Sequence, residues 1–347
     1  MRHDREELLR KYMAVAPGLA VKEAVEQSSC LIFRDGRVIT FNDEIACSAE
    51  CEMGFEGAVA AKPFIDLLSK LAEKEVDVSV NGSEVIIKGK RRRAGIAFEA
   101  EIKLPVSVVT PPEKWREIDT DFTDAIGVVQ HCAGKDPNNF MLMCINITPE
   151  HVEACDNYQV IRYPVHTGVR NRCLVKRDSI KYIAGLGMTE VSETKTWLHF
   201  RNPSELVFSV RREDHEFTDL TSILATEGEP TTLPGGLAEV VAKAEVFSSQ
   251  NADENLITLK LKPGRLLIRA QGVNGWYEEM KEIKWTGERM EFTIDPKLLL
   301  EIVSRTNDCI IAPGKLKVDG GKFIYVTCLG RVDKDGNPEK TATEKED

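Results

Sequence analysis

Cys30-Leu31-Ile32-Phe33-Arg34-Asp35-Gly36-Arg37-Val38-Ile39-Thr40-Phe41 decides the fold. Two β-prone runs flank Asp35-Gly36, a dipeptide that favours the tight turn whose twist matches paired strands, so the stretch predicts a hairpin. The same slot returns twice. Met143 to Ile147 turns at Thr148-Pro149-Glu150 into Val152 to Cys155, and Leu256 to Leu261 turns at Pro263-Gly264 into Leu266 to Ile268. Gly36, Glu150 and Gly264 stand 114 residues apart. Shortly after the turn stands a polar residue: Asp43, Asp156 and Gln271.

The elements around the hairpin repeat as well, which is the signature to seek before any single motif. An amphipathic helix follows, entered through a polar or proline start, at Lys62–Leu71, Arg177–Ala184 and Asp295–Val303. Matching Ile65, Ile180 and Leu300 gives separations of 115 and 120 residues. A second hairpin comes next each time: Val76 to Val80 with Val85 to Ile87, Trp197 to Phe200 with Leu206 to Phe208, and Leu316 to Val318 with Phe323 to Val326. Alternation of Val76, Val78 and Val80 marks a sheet with one dry face. Each repeat opens with a further helix, at Glu6–Val15, Phe122–Ala133 and Leu237–Phe247.

Proline and glycine gather at Thr110-Pro111-Pro112 and from Pro230 to Gly236, which places boundaries there. The expected organisation is α+β: three domains at 1–114, 115–233 and 234–330, each an antiparallel sheet with two helices on one face, then a charged, disordered tail at 331–347. A length of 347 residues fits two or three domains, and the repeat selects three.

Composition bounds the class. With 42% hydrophobic and 29% charged residues the chain reads as globular, and no apolar run is long enough for a bilayer-spanning helix, so no membrane partner is expected. The charged start, Met1 to Glu7, lacks a secretory h-region, and nine cysteines form no framework; both point to a cytoplasmic protein with reduced thiols. Cys47 and Cys51 are too few for a structural zinc, and neither a metal nor a cofactor is expected. His131-Cys132 are sequence neighbours that face different ways on a helix, which disfavours a nucleophilic pair. Asp43 and Asp156 lie in separate repeats and do not make an acid–base pair, so no catalytic residue is expected. A net charge of −10 argues against a protein that holds nucleic acid by affinity.

The threefold order of helix, hairpin, helix, hairpin resembles the bacterial beta sliding clamp, the processivity ring of replicative DNA polymerase. The resemblance extends to about Leu329 and includes Leu104-Pro105, Phe217-Thr218-Asp219-Leu220 and Asp295-Pro296-Lys297-Leu298-Leu299. It implies a head-to-tail homodimer with six domains around duplex DNA, serving a DNA polymerase and loaded by a clamp loader. Such a ring is held by topology, so its helices need only a mild field, and the six helices here are close to neutral in an acidic chain.

Helix-borne cations are the candidate phosphate contacts: Arg5, Arg10, Lys11, Lys22, Lys62, Lys70, Lys74, Lys176, Arg177, Lys181, Lys297 and Arg305. Lys90-Arg91-Arg92-Arg93 reads instead as a solvated strand connection. The resemblance assigns a pocket for partner peptides to Tyr158, Val160, Thr218, Ile223, Val326 and Cys328, and a dimer contact to Phe98, Val246 and Phe247. The sequence departs from the family at the pocket: Asp156-Asn157-Tyr158-Gln159-Val160 replaces a Gly-His-Arg-Leu-like run, and Val326-Thr327-Cys328-Leu329 replaces a Met-Pro-Met ending. Two other readings stay open, a metal-dependent nuclease and a protein-binding repeat scaffold without DNA.

Overall fold

Strands Cys30–Arg34 and Arg37–Phe41 pair antiparallel, with Ile32 opposite Ile39, and close on Asp35 and Gly36 at φ of 50° and 68°. Positive φ at both central positions is the hairpin turn that the dipeptide favours. The computed structural model describes residues 1–249, 255–312 and 314–328; the tail 331–347 lies outside them. The second hairpins also form, Glu75–Asn81 with Glu84–Lys88, Trp197–Arg201 with Val207–Arg211, and Lys315–Asp319 with Ile324–Cys328.

Seven α-helices lie among the described residues: α1 Arg5–Val15, α2 Ala61–Lys70, α3 Phe122–Val129, α4 Arg177–Ile180, α5 Thr221–Leu224, α6 Leu237–Ser248 and α7 Pro296–Arg305. The start of α1 is fixed by Asp4, whose carboxylate accepts the Glu7 N–H at 2.8 Å, and α7 is capped likewise by Asp295 through Lys297 N–H at 2.7 Å. One expectation is shortened. The helix expected over Arg177–Ala184 is one α-turn that tightens into a 3₁₀ turn at Lys181–Ile183, ahead of Gly185 and Gly187 at φ of 82° and 62°.

The chain divides into two compact units. The first comprises residues 1–126, 147–149 and 166–214. Its twelve-stranded sheet is continuous because Ile45–Glu50 pairs with Val207–Arg211, Cys47 opposite Phe208, so strands of the first and second sequence repeats share one sheet. Tyr12 of α1 is fully buried between Phe33 and Phe64, at ring separations of 5.9 and 5.2 Å. Burying such a side chain contributes about 1.5–3 kcal/mol. The other sheet face carries a second core of Phe41, Ala46, Leu104, Val109 and Trp197.

The second unit comprises, among the described residues, 127–146, 150–165, 215–249, 255–312 and 314–328. Gln159–Pro164 pairs with Ile324–Cys328, Val160 opposite Val326, which joins strands of the second and third repeats. A separate four-stranded sheet runs in the order Gly275–Glu282, Arg265–Gly272, Ile257–Lys262, Met290–Ile294, and α6 packs on it. Each unit thus combines strands from two sequence repeats.

Candidate functional site

The strand pair Gln159–Pro164 and Ile324–Cys328 gathers most of the expected peptide pocket. Cys328 N–H donates to Tyr158 O at 2.6 Å, and Tyr325 hydroxyl donates to Gln159 Oε1 at 3.0 Å, so the two strand ends are locked in register. Asp156 makes the bend that precedes them, its Oδ1 accepting the N–H groups of Tyr158 and Gln159 at 2.7 and 2.8 Å. That is an Asx-type turn, a structural task for the carboxylate in keeping with the absence of an acid–base role. Helix α5, with Ile223, packs on both strands. It is entered through Asp219, whose carboxylate accepts the Thr221 N–H at 2.9 Å. Hydrogen bonds from the Thr221 hydroxyl and N–H hold this exposed carboxyl below the usual range.

Burial divides the six residues. Val160 and Val326 are buried, Ile223 is half-buried, and Tyr158, Thr218 and Cys328 are exposed, Tyr158 at 55%. The arrangement is a buried apolar strand pair flanked by an exposed phenol and thiol, chemistry suited to an apolar side chain with polar surroundings. On the neighbouring strand of the same sheet, Glu153 is buried beside Arg162 at 2.7 Å and Asn146 at 2.7 Å. Burial raises its carboxyl, but hydrogen bonds from His151, Arg162 and Asn146 outweigh that and hold it low.

The helix-borne cations fall into two groups. Arg5 donates to Glu73 O and Leu68 O at 3.0 and 3.1 Å, tying the start of α1 to the end of α2 and to the connection beyond it. Lys11 pairs with Glu7 at 2.9 Å, Lys176 with Glu44 at 2.6 Å, Arg177 and Lys181 with Asp178 at 3.1 and 3.2 Å, and Arg305 with Glu301 at 2.7 Å. Arg10, Lys22, Lys62, Lys70, Lys74 and Lys297 are exposed and form no ion pair within 4 Å among the described residues. The Lys90–Arg93 run lies at the bend between strands Glu84–Lys88 and Arg93–Glu99, where Gly89 N–H donates to Arg92 O at 3.0 Å.

Of the expected dimer residues, Phe98 is buried against Phe55, whereas Val246 on α6 is exposed and Phe247 stacks on Tyr277 at 6.3 Å. Sequence reading missed the neighbours of this second group: Trp276 and Met280, exposed on strand Gly275–Glu282, and Val273 just before it. That strand is paired only with Arg265–Gly272 among the described residues, so it is a sheet edge. The run Trp276 to Glu282, with acidic residues among the apolar ones on the same face, shows no apolar–polar alternation and so carried no local signal.

This succession of sheets and helices is the sliding-clamp fold. The DNA polymerase III subunit beta of Pseudomonas aeruginosa superposes with a TM-score of 0.74 at 17% identity, over 96% of this chain and 100% of that one. The DNA polymerase sliding clamp of Bacillus subtilis gives 0.75 at 13% identity, over 96% and 99%. The Pseudomonas aeruginosa sliding clamp bound to griselimycin gives 0.73 at 16% identity, also over 96% and 99%. No protein-family model and no curated protein sequence matches the chain.

Proposed function

We propose that the chain is a DNA sliding clamp, a non-catalytic ring that encircles duplex DNA and tethers a DNA polymerase after placement by a clamp loader. The observation that carries this reading is the end-to-end correspondence with solved clamps, 96% of this chain on 99–100% of theirs, rather than with one repeat of them. The three domains are 1–114, 115–233 and 234–330, and two chains close the ring. Exposed Val246, Trp276 and Met280 beside an open strand edge support that closure, since unpaired edges accept another chain.

Arg10, Lys22, Lys62, Lys70, Lys74 and Lys297 are the leading phosphate contacts, because their charges are not already matched by a carboxylate. The cations already paired, Arg5 with Glu6 at 2.8 Å and Lys11, Lys176, Arg177, Lys181 and Arg305 as described above, contribute less. The net charge of −10 is compatible with this function, as a ring held by topology needs no basic excess. Partner peptides dock at Tyr158, Val160, Thr218, Ile223, Val326 and Cys328. The protein works in the cytoplasm, where the replicating DNA is.

Retention on DNA of two topologies tests the reading. Loaded onto nicked circular plasmid, the protein stays through gel filtration and is lost when the plasmid is linearised. Equal retention on both forms, or DNA hydrolysis by pure protein with Mg²⁺, would sink it.

A further inference from the structure

The first compact unit contains a cavity of about 460 Å³ that no part of the clamp reading uses. Its floor is one face of the twelve-stranded sheet. Register places Ile39, Ser48, Val207 and Arg201 in one row across four strands, and Phe41, Ala46 and Ser209 in the next. Its roof is the segment from Val106 to Trp115. Pro111 and Pro112 cannot donate to a strand, so this segment crosses the sheet face without pairing to it and leaves the space beneath open.

Charge is distributed unevenly around the cavity. Arg201 stacks on Trp115, its guanidinium carbon 4.6 Å from the ring centroid, and is neutralised by Glu190 at 2.7 Å and Glu205 at 3.6 Å. Asp35 is paired with Arg34 at 3.3 Å. Arg37 differs. It is half-buried and donates to Ser48 Oγ at 2.6 Å, Ser48 O at 3.2 Å and Glu205 O at 2.8 Å, yet no carboxylate lies within 4 Å of it among the described residues. A partly desolvated guanidinium whose hydrogen bonds all go to neutral acceptors, with Glu50 and Glu205 acting on it only from beyond ion-pair distance, gains from a ligand carboxylate.

We propose that this cavity is a second peptide-docking site, which takes a short extended segment of a partner protein in which a large apolar side chain adjoins an acidic one. The apolar side chain rests on Ile39, Val207 and Pro111, which are half-buried, and the carboxylate pairs with Arg37. The volume lies in the range of specific ligand pockets and exceeds what a single aromatic acid fills, which leaves room for flanking backbone. A phosphate is disfavoured, because Glu113 and Glu205 also line the cavity and would repel a dianion. The inference is independent of whether the ring encircles DNA.

The probe is a fluorescein-labelled, end-blocked peptide with a single acid, Gly-Gly-Phe-Asp-Gly, followed by fluorescence anisotropy with the full chain. The peptide should bind at least fivefold more tightly than its Asn-for-Asp counterpart. Arg37→Gln should erase that difference, Arg37→Lys should keep part of it, and Val207→Phe, which fills the cavity, should weaken binding at least tenfold. Thermal melts verify that each variant is folded; if Arg37→Gln is not, Arg37→Lys and Val207→Phe decide. Unchanged affinity in the folded variants, or equal affinity for the Asp and Asn peptides, overturns the proposal. So does competition by free phenylacetate as strong as by the unlabelled peptide, since the occupant would then be a small acid. Retention of the same variants on circular DNA should equal that of the parent chain, so failure here is separable from failure of the clamp reading.

Discussion

Phe98 and Val246 come from the same expectation, a contact that closes two chains into a ring, and the structure treats them in opposite ways. Phe98 is 8% exposed, edge-on to Phe55 at 5.6 Å, and its strand pairs with Gly57–Ala60 through Val59. A Cβ on Gly57 would come within 2.4 Å of the Phe98 ring, so the glycine is required for the ring to lie where it does. Val246 is 60% exposed, and Trp276, next in sequence to the Tyr277 on which Phe247 stacks, is 61% exposed. Apolar character alone does not distinguish a residue that holds its own unit together from one available to another chain. Burial does.

The sharpest way to break this contrast is Phe98→Ala. Truncating a buried phenylalanine costs about 3–5 kcal/mol. Urea denaturation should show that loss in the first unit's transition; loss of the dimer with stability intact would instead place Phe98 at the interface. Next in size is the double variant Val246→Glu with Trp276→Glu. It should weaken dimerisation about a hundredfold in sedimentation equilibrium, while stability stays within about 0.5 kcal/mol, as for exposed positions.

Acid should separate the two regions again. His199 is buried in the first unit's sheet, and burial lowers its pKa to about 4. Its folded value lies below the unfolded 6.5, so its stabilisation is complete above pH 6.5 and declines as pH falls towards 4. Between pH 7 and pH 5 the first unit should lose about 2 kcal/mol on this account. His199→Gln should flatten the dependence; an unchanged slope would exclude His199 as its source. The smallest effect concerns the exposed strand. Hydrogen bonds from Tyr277 and Lys243 lower the Glu279 carboxyl to about 2, so its charge is constant between pH 7 and 5. Dimer affinity, compared at those two values by sedimentation, should not move through this group.

The hairpins and one helix start were legible because local chemistry decides them: Asp35-Gly36 for a turn, Asp295-Pro296 for a helix start. The pairing of several cations was also written locally, since Glu7 with Lys11 and Glu301 with Arg305 are four residues apart on a helix. The cavity was not legible. Arg37, Ser48, Trp115 and Arg201 meet through strand register across segments separated by up to 164 residues, which no local pattern encodes. Pro111-Pro112 illustrates the limit: read as a boundary between repeats, it says nothing about the sheet face it covers.

Cys328 has a practical consequence. Seven of the nine cysteines are buried and Cys30 is half-buried, which leaves Cys328 as the exposed thiol. Burial pushes Cys47, Cys155, Cys173 and Cys309 up to about 12 and Cys51 to about 11, so these thiols stay protonated and unreactive near neutrality. A maleimide dye added to the native protein therefore marks one strand end, beside Tyr158, without any engineered substitution. The chain carries its own optical reporter at the position where a bound peptide would change the dye's surroundings.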